Sequence, residues 1–361
     1  MAASSLNRTP LEPTTRWPGL GAMARDFRRS LLEAVAPSLA SQKTIVRDGT
    51  IELSLLDCGA SGFLLQRRHV RFDGSLAIQK IDATDGLRLD EFIEGDPHYD
   101  ALTSAYRLLV SRLNEVKQNP TAANPLTGNV TDCQNELEVL RLMRQVCEGV
   151  GGTSCVYHWV RAPDDARRDG PVYDTHVVLA SCPPAWIQAY ERRMAADPVM
   201  EYARDNNAPL RGFRQLNMSD GAWLAGEAQL YGLRSNVFFP ARRRDGELFG
   251  LLHVSSGDPA PEGEERLWQN QRVLRGLAEE MLDWPAIQYR RAAAQQYQLS
   301  ETERAVLRWL HRGGDAAHAA ADLHLTPKQV YRIYKAVKIK MGRDDIRACT
   351  RMAAEAGLFD L

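Results

Sequence analysis

Nothing in this 361-residue sequence approaches the roughly 20 consecutive apolar residues that cross a bilayer. The first twenty residues, broken by Pro10, Pro13 and Pro18, also lack the apolar centre of a signal peptide. The chain therefore reads as cytoplasmic, with no membrane span expected; whether Met1 or Met23 is the start stays open. Cysteine is sparse: Cys58, Cys133, Cys147, Cys155, Cys182 and Cys349 stand without zinc-ligand or redox spacing, as reduced thiols do. Asp96-Pro97-His98 and the scattered histidines show no metal-ligand spacing, no glycine-rich phosphate loop is present, and no nucleophile sits beside a base. No cofactor, metal or enzymatic activity is expected. Charge of one sign is missing too, since 45 Lys and Arg meet 46 Asp and Glu. Total charge therefore names no polyanionic partner. At this length two or three domains with real cores are expected.

The local pattern is more telling than the sum. In Leu325-Thr326-Pro327-Lys328-Gln329-Val330-Tyr331-Arg332-Ile333-Tyr334-Lys335, Thr326 is a good N-cap and Pro327 suits the first helical position. Val330, Ile333, Tyr334, Val337 and Met341 then fall on one stripe, and Lys328, Arg332 and Lys335 on the other. Six basic residues and no acid lie between Pro327 and Arg343. Such a helix suits the DNA major groove, with Thr326, Lys328, Gln329, Tyr331, Arg332, Lys335 and Lys338 as candidate contacts to phosphates and base edges. Ser300-x-x-Glu303 is a capping box opening a helix with Val306, Leu307 and Leu310 on its core face and a stop at Gly313-Gly314. Asp315 caps a short second helix to Leu323, Gly342 ends the third, and Asp344 or Asp345 opens a fourth that stops at Gly357. Residues 299–361 thus read as a four-helix unit with a helix-turn-helix at its centre. A small helical oligomerisation domain with a solvated basic face is the bland alternative.

This order resembles the DNA-binding domain of the LuxR family of bacterial transcription regulators. The match rests on Leu299-Ser300, Glu303, Val306-Leu307, Gly314, Ala319, Leu323, Leu325-Thr326-Pro327, Val330, Lys340-Met341-Gly342 and Ala356-Gly357-Leu358. Ala317-His318-Ala319 departs from the family's Glu-Ile-Ala, and Gln329-Val330 from its Thr-Val. His318 takes the place of a buried Ile, so either the scaffold is weakened or the histidine turns outward.

Residues 133–284 alternate helical and strand patterns. A helix is expected over Glu136 to Val150, strands over Thr153 to Val160 and Tyr173 to Ala180 around the polar loop Pro163 to Pro171, and a helix over Pro184 to Ala195. Leu233 to Pro240 and Glu247 to Ser255 form a hairpin through Asp245-Gly246. Arg242-Arg243-Arg244 beside that turn reads as a solvated tip. A long helix from Glu264 to Trp284 closes the region, giving an α/β/α sandwich. The run Trp186-x-x-x-Tyr190, Asp197-Pro198 and Tyr231-Gly232-Leu233-Arg234-Ser235 resembles the autoinducer-binding domain that precedes LuxR-type DNA-binding domains. The resemblance implies that Trp186 and Asp197 hydrogen-bond the head group of an acyl-homoserine lactone and that Tyr190 lines the pocket. An indole N–H donates to a carbonyl and a buried carboxylate accepts from an amide N–H, so such a pair fixes both ends of a small amide. Three positions depart from the family: Cys182 stands where a Tyr is usual, Phe213 near a later Trp, and Asn236 where Gly is expected. The plainer alternatives are core packing for Trp186 and Tyr190 and a turn or cap for Asp197.

Residues 1–125 lie outside both resemblances. A short amphipathic helix (Phe27, Leu31, Leu32, Val35, Leu39), a strand-rich stretch from Thr44 to Ile81 with a turn at Asp73-Gly74, and a helix over Ala101 to Lys117 are expected. Gln118 to Thr131, with Pro120, Pro125, Gly128 and three Asn, reads as a linker, which makes the front region a separable α+β part of unknown role. The whole is an α+β protein: this N-terminal region, an α/β/α sensor over 133–284 and a helix-turn-helix domain over 299–361. It reads as a LuxR-type regulator that binds double-stranded promoter DNA as a homodimer and responds to an acyl-homoserine lactone-like signal, with RNA polymerase as a further partner. Leu267, Leu274, Leu277 and Met281 form a stripe for dimerisation or for packing on the sheet. The alternative of a different class is an interaction protein that pairs with another regulator without binding DNA.

Overall fold

The computed structural model describes residues 41–359, apart from 85, 95–99, 105–106, 108–127, 162–172, 174, 192–193, 195–196, 214–215, 217 and 244–247. The expected helix at Phe27 to Leu39, most of the helix over Ala101 to Lys117, most of the linker, the Pro163 to Pro171 loop and the Asp245-Gly246 turn lie outside the described residues. Two compact units share the chain, one within Leu32–Leu299 and one that includes Ser300–Leu361.

In the first unit nine strands form one sheet: β1 (Ser41–Asp48), β2 (Ile51–Asp57), β3 (Phe63–Val70), β4 (Leu76–Asp82), β5 (Ser154–Arg161), β6 (Thr175–Ser181), β7 (Leu210–Arg211), β8 (Ser235–Arg242) and β9 (Leu248–Ser256). Their order is β1-β2-β3-β4-β6-β5-β9-β8-β7. All pairs are antiparallel except β4 with β6, which run parallel from Leu76↔Thr175 to Ile81↔Ala180. Gly74, with φ 81°, makes the expected turn between β3 and β4.

Strict alternation assigns the two faces of the sheet. Val156, Val160, Val178, Ala180, Phe238, Phe249 and Leu251 pack on one side with helices α1 (Gly86–Glu94), α3 (Pro184–Glu191), α4 (Pro198–Asp205) and α5 (Met218–Leu230). Tyr157, Trp159, Val177, Leu179, Phe239, Leu252 and Val254 face the other way, against α2 (Glu136–Gly149), α6 (Glu262–Gln269) and α7 (Gln271–Tyr297). The layers are those of an α/β/α sandwich. Gly250 is required on β9, because a Cβ there would stand 2.0 Å from the Tyr157 hydroxyl oxygen.

Three expectations need correction. The front region is not separated from the sensor: β1–β4 continue the sheet of β5–β9 through the β4–β6 pairing, which no sequence pattern within either segment reveals. The closing helix is two helices, with Asn270 between them, and the second runs past Trp284 to Tyr297 despite Pro285. Pro285 has no N–H for the Met281 carbonyl one turn back, and the Trp159 indole supplies that donor at 2.8 Å. Finally, Leu267, Leu274, Leu277 and Met281 are all buried on their own sheet, so the stripe is core and not a dimer surface. Helices α4 and α5 and the short β7 have no counterpart among the expected elements.

Beneath α2, Lys80 of β4 donates to both carboxylate oxygens of Glu136 at 2.6 Å, and both side chains are buried. Burial raises the Glu136 carboxyl above its usual range against the pull of Lys80, while its place in the first turn of α2 favours the anion.

The second unit follows the expected punctuation. Its helices are α8 (Glu301–His311), α9 (Ala316–Asp322), α10 (Pro327–Met341) and α11 (Ile346–Glu355). Ser300 and Glu303 form a reciprocal capping box, Asp315 and Asp345 cap α9 and α11, and Gly342 ends α10 in the left-handed region. Val306, Ala319, Ala320 and Val330 form one cluster of its core, with Ile333 and Tyr334 packed on it, and Leu307, Val337, Cys349 and Ala353 are buried too. His318 turns outward, its side chain 71% exposed and its Nδ1 2.8 Å from Asp315, so no imidazole occupies the core position.

Two outcomes test the continuous sheet. A fragment beginning near Val130 will be insoluble or markedly less stable than the full chain, because it strips the partner from β6 and removes Leu53, Leu65 and Ile81 from the core they share with Val178, Ala180 and Ile187; a soluble, equally stable fragment would refute this. Lys80→Met will cost about 3–5 kcal/mol in chemical unfolding, the cost of stranding a buried charge, and pairing it with Glu136→Leu will recover most of that loss.

Candidate functional site

On the first face of the sheet, His158, Trp186, Ile187, Tyr190, Asp197, Val199, Phe213, Leu224, Phe238, Leu251 and His253 enclose a cavity of about 10 Å³, room for roughly one water molecule. Four of the five expected ligand residues meet there. Trp186 and Tyr190 are one turn apart on α3, 5.7 Å between ring centroids, and Trp186 also touches Tyr231 at 6.0 Å. Phe213 packs edge-on to Phe238 at 5.1 Å, so an aromatic wall is kept. Cys182 is buried in the same core and does not line the cavity.

Asp197 serves two purposes at once. Its Oδ1 accepts the Val199 N–H at 2.8 Å and so caps α4 ahead of Pro198, as the turn-and-cap alternative anticipates. Its Oδ2 accepts a short hydrogen bond from the Tyr190 hydroxyl. A carboxylate has about four lone-pair sites, so both oxygens keep acceptor capacity. Burial pushes the Asp197 carboxyl up to about 6, opposed by the Tyr190 and backbone hydrogen bonds.

Sequence reading missed the histidines. His158 on β5, His176 on β6 and His253 on β9 are all buried on the pocket side, where alternation along their strands places them. His158 Nδ1 lies 2.8 Å from His176 Nε2, and His253 Nε2 lies 2.8 Å from Asn236 Oδ1. Asn236, the departure from the family's glycine, thus anchors an imidazole. Burial lowers His158 and His253 to about 3 and lowers His176 as well, so all three are neutral. The signal for them was the period-two pattern itself, since His158 sits between inward Val156 and Val160.

The pocket helix is held from the N-terminal strands. Glu191, next to Tyr190 at the end of α3, meets Arg67 Nη1 at 2.9 Å, His69 Nδ1 at 2.8 Å and Gln79 Nε2 at 2.8 Å. A carboxylate at a helix C-terminus is opposed by the helix dipole. The three groups from β3 and β4 offset that cost.

On α10, Lys328, Arg332 and Lys335 are exposed and lie at one-turn spacing on one face, with no acidic partner among the described residues. Tyr331 is exposed beside them, and Lys338 is half-buried. Thr326 and Gln329 are engaged locally: the Thr326 N–H and hydroxyl both meet Gln329 Oε1, at 2.7 and 2.8 Å, and Gln329 N–H reaches Thr326 Oγ1 at 3.3 Å. Lys340 is held by Glu303 at 2.7 Å. Among the described residues no cluster of three or more His, Cys, Asp or Glu is placed to hold a metal, and no helix is long and apolar enough to cross a membrane.

Residues 135–283 match the family model of the autoinducer binding domain. The match begins at the cap of α2, takes in β5–β9 and the whole cavity, and ends in α7. Among solved structures, Escherichia coli SdiA is 19% identical, with 64% of this chain and 94% of that one covered and a TM-score of 0.36. SdiA in complex with octanoyl-rac-glycerol gives 19%, 64%, 92% and 0.36. The N-acylhomoserine lactone dependent LuxR family transcription factor CepR2 from Burkholderia cenocepacia gives 15%, 44%, 90% and 0.37. At such identities and scores these are likenesses and no more. No curated protein matches the chain.

The buried ionisable groups set a pH dependence. A histidine lowered in the fold contributes stability present above its unfolded value of about 6.5, lost as pH falls. Asp197, raised in the fold, acts in the opposite sense, relieving strain as pH falls from about 6 toward its unfolded value. Between about pH 4 and 6 three imidazoles take up protons on unfolding while the raised carboxyls, Asp197 and Glu136, release theirs. Stability should therefore drop with acid, by about 1.4 kcal/mol per pH unit for each net proton taken up, and His253→Asn should flatten the profile. A melting temperature constant from pH 7 to 5 would contradict the burial of these groups.

Proposed function

We propose that this chain is a ligand-responsive transcription regulator of the LuxR type, in which the pocket of the first unit binds a small amide-bearing signal such as an acyl-homoserine lactone and the second unit binds promoter DNA. The observation that carries the proposal is the convergence of Trp186, Tyr190 and Asp197 on one buried cavity inside the segment that matches the autoinducer binding domain. Trp186 offers an indole N–H to a ligand carbonyl, and Asp197 accepts from a ligand amide N–H. Phe213, Leu224 and Leu251 take the apolar remainder. A cavity of about 10 Å³ is far below the roughly 300 Å³ or more of drug-sized pockets, so a lactone enters by displacing side chains, with Phe213 and Trp186 as the movable walls.

Recognition of DNA is assigned to α10. Lys328, Arg332 and Lys335 reach phosphates or base edges, Tyr331 and Lys338 add contacts, and Thr326 and Gln329 contribute by fixing the start of the helix. Binding is by a homodimer, with RNA polymerase as a downstream partner, and the exposed basic face of α10 favours DNA over a purely protein partner.

Thermal unfolding with a panel of acyl-homoserine lactones tests the pocket, since a ligand of the folded state raises stability. Fluorescence anisotropy on promoter fragments tests the helix. The triple variant Lys328→Ala, Arg332→Ala and Lys335→Ala, folded by circular dichroism, should lose affinity and lower the salt slope by about 0.9 for each phosphate contact removed. Wild-type binding by that variant would sink the DNA assignment and leave the interaction-protein reading.

A further inference from the structure

Two buried imidazoles on the pocket wall each have one ring nitrogen committed and one left over. For His253 the committed side is settled by its neighbour. Asn236 Nδ2 donates to the Leu233 carbonyl at 3.1 Å, which turns Asn236 Oδ1 toward His253 Nε2. That nitrogen therefore carries the hydrogen, and the neutral ring keeps a bare lone pair on Nδ1. No group among the described residues reaches it. His158 spends Nδ1 on His176 and leaves Nε2 without a partner among the described residues.

Both rings are locked in place. Phe238 lies against His253 at 4.5 Å, and Tyr190 meets the edge of His158 at 5.7 Å. His158 stands opposite Leu251 and His253 opposite Val156, so the two are diagonal neighbours on one face of adjacent strands, roughly 7–8 Å apart. Both line the same cavity, which admits about one water-sized group.

We propose that His158 and His253 form a hydroxyl-recognising subsite, so that this pocket takes a ligand whose chain carries a hydroxyl beyond its amide head group, a hydroxyacyl amide in preference to a plain acyl or oxoacyl one. The proposal rests on the pocket reading given above. A hydroxyl donates its single hydrogen to the lone pair of His253 Nδ1 and accepts from His158 Nε2–H, in the tautomer in which His158 Nδ1 accepts from His176. A ketone only accepts and offers His253 nothing. A methylene leaves two buried polar atoms unpaired, and an ammonium or carboxylate brings a charge into a dry site at a higher cost.

Isothermal titration of the full chain with hexanoyl-, 3-oxohexanoyl- and 3-hydroxyhexanoyl-homoserine lactone, the last as each enantiomer, decides the matter. One hydroxy enantiomer should bind at least tenfold tighter than the other two compounds, and His253→Phe should shrink that advantage below threefold while the plain acyl compound binds as well as before or better. Equal affinities of the three compounds for the wild type would overturn the subsite and leave the pocket reading standing. An advantage that survives intact in a folded His253→Phe variant would do the same. Absence of binding by every lactone would remove the pocket reading and this inference together. Should His253→Phe not fold, the wild-type ranking alone carries the decision.

Discussion

Parallel pairing of β4 with β6 forces the chain to leave the sheet and return in the same direction, and residues 83–174 make that excursion, carrying α1, α2 and β5 with them. A parallel partner cannot be reached through a tight turn, so the pairing is a long-range commitment with a large loop-closure cost. It also buries both faces of β4 and β6, which is why Lys80 ends up with no water within reach. Glu136 at the start of α2 is the group that makes this tolerable. The ion pair adds little net stability over a well-packed apolar pair, but it permits only one seating of α2 on the sheet. Once α2 is seated, β5 follows it into the centre of the sheet, and the histidine row falls into place on the opposite face.

The same logic of compensation runs through the rest of the sandwich. Side chains that alternate along β5 serve α7 on one face and the pocket on the other. Tyr157 and Trp159 reach out to the carbonyls of Ala278 and Met281 on α7, both at 2.8 Å. His158, between them, points to the pocket. A helix that continues through Pro285 needs a donor for the carbonyl the proline strands, and an indole from the strand beneath is the donor it finds. Because Tyr157 and Trp159 hold β5 to α7, a change on the pocket side bears on a strand already fixed from behind. This rigidity is what a specific polar wall requires.

Much of this was legible in the sequence where local chemistry decides. Caps and stops are properties of a few adjacent residues, so Ser300 with Glu303, Thr326 with Pro327, Asp315, Asp345 and Gly342 stand where their types demand. Strands β2 to β6, β8 and β9 were visible as periodic or apolar runs. Trp186, Tyr190 and Asp197 came through a family resemblance, and Phe213 came as an aromatic near its expected place. What stayed hidden depends on distant partners. The β4–β6 pairing leaves no trace in either strand alone, and the stripe of α7 looks the same whether it faces a sheet or a second copy. Pro285 ends a helix by propensity, and only Trp159, far away in the chain, overrules it. The histidines were dismissed for lacking metal spacing, although a search by strand face would have grouped His158 with Val156 and Val160.

Residues outside the matched segment also reach the pocket, and they do so through one carboxylate. Glu191 closes α3 directly after Tyr190, so its position sets where that ring and its bond to Asp197 lie. The groups that hold it, Arg67, His69 and Gln79, come from β3 and β4, with Arg67 paired opposite Gln79 across the ladder. Arg71, at the end of the same hairpin, reaches toward Met194 at 3.6 Å and is itself half withdrawn from water. A helix whose last turn would otherwise be loosened by an acidic residue is thereby pinned to strands that the autoinducer binding domain model does not include. Any motion of α3 works against three side chains of the added strands. These strands therefore belong to the energetics of the pocket wall: their hold on Glu191 opposes any displacement of α3.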